Sequence, residues 1–195
     1  RQALALDPKI GEAHAVLAQI NADKGNMLDA ESGFFFAISL EPNEPTPHHW
    51  YSLLLSRVGR LNLALDQARK AQELDPTSPV LAANLAGMYL MLGQDEQALR
   101  YSKLATDLGI SKKQSGIESA VAMRRGQWDE ARRLIVAQED LPPEVRPQAT
   151  RYVDAVENPG LRAAVIAEMR AIDPKIMPPI GLIQPLLHLG AVDED

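Results

Sequence analysis

The stretch HHWY at 48–51 sets two of the chain's four histidines beside one of its two tryptophans, a grouping that could serve a metal centre, an aromatic cage or a packing face. Consecutive side chains on a helix point about 100° apart, and a helical metal pair needs i, i+3 or i, i+4 spacing. His48 and His49 therefore do not share an ion, and packing is the reading that remains for Trp50 and Tyr51. The other candidates for chemistry are sparse. His14 and His188 are isolated in sequence, and Asp129 and Glu130 sit together where the helix dipole at a helix start accounts for them. The chain has no cysteine, no phosphate-binding glycine loop, no dinucleotide turn and no Gly-x-Ser-x-Gly elbow. No catalytic residue, metal or cofactor is assigned, and the chain reads as non-catalytic.

Composition narrows the partners. With 195 residues and 46% hydrophobic content the chain can bury a core. A net charge of −6 opposes the phosphate-neutralising surface that nucleic acid requires. Residues 100–133 depart from this sum, with eight basic residues (Arg100, Lys103, Lys112, Lys113, Arg124, Arg125, Arg132, Arg133) against four acids. That segment reads first as a solvated helix surface and second as a docking patch for an acidic segment. No apolar run approaches the ~18–20 residues of a membrane span, and residues 1–30 lack the layout of a signal peptide. Cytoplasm and periplasm both stay open.

The elements that carry these residues emerge from internal repetition. Pro8, Pro42 and Pro76 are spaced by 34, as are Gly25, Gly59 and Gly93, Ala30, Ala64 and Ala98, and Ala37, Ala71 and Ala105. Gly126 and Ala131 continue two of these sets with a spacing of 33. Each unit reads as two helices. In the third, residues 79–93 have apolar side chains on several sides and end at a glycine suited to the left-handed conformation. Residues 94–109 open with Asp95 and Glu96 and carry Ala98, Tyr101, Ala105 and Leu108 on one face. Small residues at Ala18, Ser52 and Ala86 mark where antiparallel helices approach.

This pattern resembles the tetratricopeptide repeat (TPR) family. The residues that carry it are Leu17, Ala18, Gly25, Ala30, Phe34, Ala37 and Pro42 in the first unit and Ser52, Gly59, Ala64, Ala71 and Pro76 in the second. The third supplies Leu85, Ala86, Tyr89, Ala98 and Ala105. Tyr51, Ala68 and Ser102 depart from the family pattern and suggest looser local packing. The resemblance implies an all-α, right-handed superhelical solenoid of antiparallel helix pairs. Regular repeats are expected over 11–44, 45–78 and 79–111, a fourth over 112–142 and a degenerate pair over 143–177. Residues 1–10 read as the end of a preceding second helix, and 178–195 as a truncated terminal helix kinked at Pro185. Both ends look like half-units of a longer protein, and their exposed apolar surface could join copies into a homo-oligomer. A weaker resemblance, carried by 48–79, is to the C-terminal TPR region of bacterial regulators with a winged-helix or cyclase domain.

The resemblance also implies a concave groove lined by first helices that receives a protein or peptide. Its family positions fall here on Glu12, Ala15, Gln19, Ala22 and Asp23, then on Thr46, His49, Leu53, Ser56 and Arg57, then on Val80, Ala83, Gly87, Leu90 and Met91, with Met123 extending the third set. Clamping of a C-terminal carboxylate is rejected, because Ala15, Gln19, Val80 and Asn84 stand where Lys, Asn and Arg are needed. Adaptable methionine beside small residues suits an amphipathic helix or extended apolar peptide. Covering of these residues by a neighbouring pair or by the C-terminal segment is the equal alternative. A sensory domain that binds a small molecule is the second functional reading.

Overall fold

A computed structural model describes residues 9–110, 116–138, 141–177 and 189–190. The fold is all-α, and its chain divides into two compact units, Arg1–Ile110 and Ser111–Asp195. The expected half-helices at 1–10 and 178–195, with Pro185, lie almost wholly outside the described residues.

Unit one contains three antiparallel pairs: α1 (Gly11–Asp23) with α2 (Met27–Leu40), α3 (Pro45–Arg57) with α4 (Leu61–Leu74), and α5 (Pro79–Met91) with α6 (Asp95–Asp107). Helix α2 also packs on α3, and α4 on α5, while α1, α3 and α5 touch in succession. The first helices thus share one side of the unit. The repeated alanines explain why the pairs close so tightly. Ala18, Ala30, Ala37, Ala64, Ala71, Ala86, Ala98 and Ala105 are all at most 2% exposed, since a methyl group lets helix axes approach without side-chain entropy to lose.

The same turn joins the helices of every pair in unit one. Gly59 has φ +77° and Gly93 φ +72°, the left-handed region that only glycine enters freely. At Gly93 the amide of Gln94 donates to the Tyr89 carbonyl at 2.9 Å and that of Gly93 to the Leu90 carbonyl at 3.0 Å. The Gly59 turn repeats both bonds, from Arg60 to Leu55 and from Gly59 to Ser56. This paired closure satisfies helix-end carbonyls that would otherwise be orphaned. Helix α3 begins at Pro45. A proline at the first helical position forfeits no hydrogen bond there.

Aromatic rings stack both between and within the helix pairs. Tyr51 stacks on the fully buried Phe34 with ring centroids 6.0 Å apart, and its hydroxyl donates to Glu31 at 2.8 Å. Ala68 and Ser102, where larger residues were expected, are nevertheless buried. Tyr89 of α5 stacks on Tyr101 of α6 at 5.4 Å, and Arg69 of α4 donates to the Tyr89 hydroxyl at 3.0 Å.

Unit two holds α7 (Ile117–Arg124), α8 (Trp128–Val136), α9 (Arg146–Glu157) and α10 (Arg162–Arg170), with 3-10 turns at Pro143–Val145 and Pro159–Leu161. Ala122, Ala131, Val153, Val165 and Met169 form its core. The Asn158-Pro-Gly break is held by the Asn158 side chain, which accepts from the Gly160 amide at 3.0 Å. Arg132 on α8 bridges to Asp154 at 2.8 Å and to Glu157, both on α9.

Candidate functional site

The first-helix side of unit one brings together most of the positions expected to face a partner. On α1, Gln19 donates to Asp23 at 2.8 Å, and Asp23 lies 3.8 Å from Arg57 of α3. These three make a polar end to the face. Asp23 and Arg57 are both more than half exposed, so the pair contributes little to stability and both groups remain accessible to a ligand.

On α5 the character changes. Val80 is 55% exposed and Met91 52%, while Ala83, Gly87 and Leu90 are half-buried. A β-carbon built on Gly87 meets nothing within 4 Å, so no neighbouring helix requires a glycine there. Leu53 and His49 on α3 are half-buried between the two regions, and desolvation holds the His49 imidazole below its ordinary pKa. Glu12 is exposed at the start of α1, where its amide donates to Glu41 at 3.1 Å.

Two of the expected residues belong elsewhere. Ala15 is 0% exposed and Ala22 3%. Both sit in a cluster with Phe34 and with Leu54 of α3, because α3 packs close enough to cover side chains that reach only as far as a methyl. Asn84 likewise serves packing, donating to Ser52 of α3 at 2.8 Å. Met123 lies in unit two, half-buried against the core there.

The histidine pair that prompted the question of chemistry is split as helical geometry requires. His48 is buried, with ring nitrogens 2.7 Å from Gln67 Oε1 and 3.2 Å from the Pro42 carbonyl, whereas His49 lies on the shared first-helix side. Trp50 and Tyr51 pack against the core of the first pair. Among the described residues no group of three or more His, Asp or Glu is placed to hold a metal, and no helix is long and apolar enough to cross a membrane.

Three residues of the basic segment are paired with acids. Lys103 pairs with Asp107 at 2.6 Å, Arg133 with Glu130, and Arg132 with Asp129, Asp154 and Glu157. Lys112 and Lys113 lie outside the described residues.

Sequence reasoning passed over one further feature. Leu28 and Phe35 of α2 are 81% and 70% exposed. The signal was the run Phe34-Phe35-Phe36, since successive helical positions turn away from one another and only one of the three can face the core.

Paired antiparallel helices, left-handed glycine turns and small-residue crossings define an all-α repeat protein with the TPR fold. Solved structures agree. YrrB, described as a TPR protein with an unusual peptide-binding site, is 16% identical, with a TM-score of 0.61 over 98% of this chain and 97% of that one. TTC0263, a thermophilic TPR protein of Thermus thermophilus, is 18% identical, with a TM-score of 0.64 over 93% and 98%. MamA is 14% identical, with a TM-score of 0.63 over 96% and 98%. In sequence, the TPR repeat-containing thioredoxin TTL4 of Arabidopsis thaliana is 35% identical over 78 residues, 40% of this chain but 11% of the relative's length. No protein-family model matches the chain.

Proposed function

We propose that the chain is a non-catalytic scaffold that receives a peptide or helix along the first-helix side of unit one. The observation that carries this reading is the open surface of α5, where Val80 and Met91 are left to solvent on either side of a glycine with empty space above it. Exposed apolar side chains beside a bare stretch of backbone suit an amphipathic segment whose apolar residues lie over Gly87, Ala83 and Leu90. Methionine adapts its shape to such a surface at small cost. The polar end at Gln19, Asp23 and Arg57 would set direction, with His49, Leu53 and Glu12 completing the contact. A peptide-binding TPR protein of similar fold, YrrB, supports the reading by likeness.

Selection from a random peptide display library tests it. Enriched peptides are expected to bind the wild-type chain and to lose at least tenfold in affinity to Met91→Glu and to Gly87→Trp, with unchanged helical circular dichroism. Enrichment of no peptide, or binding indifferent to both substitutions, would overturn the assignment.

A further inference from the structure

Helix α2 leaves a stripe open to solvent. Leu28, Ser32, Phe35 and Ser39 are all exposed and follow one another at 4, 3 and 4 residues, the spacing that keeps one side of a helix turned towards a partner helix over several turns. Leu28 is 81% exposed, Phe35 70%, and Phe36 at the edge of the stripe 47%. From Ser32 to Leu40 the chain carries no charge. A helix apolar on every side is normally packed on every side, yet in α2 only the side of Ala30, Phe34 and Ala37 is buried.

The order of residues along the stripe specifies its occupant. Large and small side chains alternate as Leu, Ser, Phe, Ser, and such a series is complementary to itself when two copies run antiparallel. One register then sets Leu28 against Ser39 of the second copy and Phe35 against its Ser32, so every layer joins a large group to a small one. A parallel pair would set Phe35 on Phe35 and leave the serine layers hollow. Burial leaves the Ser39 hydroxyl satisfied, since it donates to the Phe36 carbonyl at 2.7 Å. The antiparallel register also keeps the two Asp29 carboxylates roughly 13 Å apart along the axis, beyond the screening length of about 10 Å.

We propose that this face of α2 joins two copies of the chain in an antiparallel, two-fold symmetric helix pair. The interface is separate from the first-helix side of unit one and from the chain ends. Leu28, Phe35 and Phe36 offer roughly 400 Å² per copy, about 800 Å² in all, which falls short of the ~1,200 Å² of stable interfaces. The dimer is therefore weak and reversible, with a dissociation constant of roughly 10 µM to 1 mM.

Sedimentation equilibrium of the full chain across that concentration range tests the assignment. The average mass is expected to climb from 21.3 kDa towards twice that value. It should climb further in high salt, because no ion pair joins the copies and each carries a net charge of −6. Phe35→Glu should hold the chain monomeric. Ser32→Phe and Phe35→Ser should each weaken association about tenfold, as large then meets large or small meets small, whereas the two together restore the alternation and should recover the wild-type constant to within about threefold. A monomer at every concentration, association untouched by Phe35→Glu, or a double exchange that fails to recover would each overturn the proposal, the last favouring a helix of another protein on this face. The exchanged positions are exposed, so circular dichroism should match the wild type. Should Phe35→Glu lose helix, Leu28→Glu takes its place with the same expected result.

Discussion

A β-carbon on Gly33 would stand 2.9 Å from the β-carbon of Ala18, so α1 and α2 cross where neither backbone can carry a larger group. Gly33→Ala is expected to force the pair apart and cost about 1–3 kcal/mol, as overpacking does. Gly87→Ala, at a helical glycine with open space above it, should instead stabilise by about 0.5–1 kcal/mol through reduced freedom of the unfolded chain. Urea unfolding of the two variants checks both signs in one experiment.

Tyr51→Phe keeps the stack on Phe34 and removes only the hydroxyl that donates to Glu31. The expected loss is about 0.5–1.5 kcal/mol. That hydrogen bond, followed by contact with Arg60, holds the Glu31 carboxyl below its ordinary range against the opposing effect of burial. Its pKa, read by carbon-detected NMR, should therefore rise in the variant.

Alkaline titration should destabilise the fold through two tyrosines. Burial first, then the bond to Glu31, pushes Tyr51 up to about 12, and burial alone does the same for Tyr152. An unfolded tyrosine ionises near 10, so the stability these groups hold below pH 10 is lost progressively as pH rises towards 12. Denaturation midpoints across that window should fall, and less steeply in Tyr51→Phe.

His49 acts at the other end of the scale. Desolvation lowers its folded pKa, so the neutral ring is favoured in the fold and its contribution is complete above the unfolded value near 6.5. That contribution drains away as pH falls below it, because the unfolded chain takes up the proton first. His49→Leu should flatten this acid limb in pH-dependent unfolding.

In unit two, Arg132 gathers Asp154 and Glu157 of α9 onto α8. Arg132→Met preserves the aliphatic stem and removes the charge, and is expected to cost about 1 kcal/mol at low salt. Because the side chain is partly open to solvent, the difference should shrink in high salt, which thermal unfolding at two ionic strengths would show.

Repetition made the backbone legible. The matched glycines foretold left-handed turns, and the matched alanines foretold crossings, because both are demands of one helix pair upon itself. Exposure was harder to read, since it depends on the neighbouring pair. Ala15 falls where the family resemblance led one to expect a partner-facing side chain yet is closed over by the packing of α3, while Phe35 emerges because Phe34 has taken the inward direction. Unit two left less trace in the pattern, because its core gathers Val153, Val165 and Met169 from α9 and α10, where the 34-residue register has lapsed.

The identical closure at Gly59 and Gly93 has a consequence for the chain's history and for its engineering. Excising residues 60–93 would join Gly59 to Gln94, and the splice would meet the same bond geometry that it replaced. Unit one can thus be shortened, or lengthened by duplication, in whole helix pairs, which makes the span it offers an adjustable count rather than a fixed dimension.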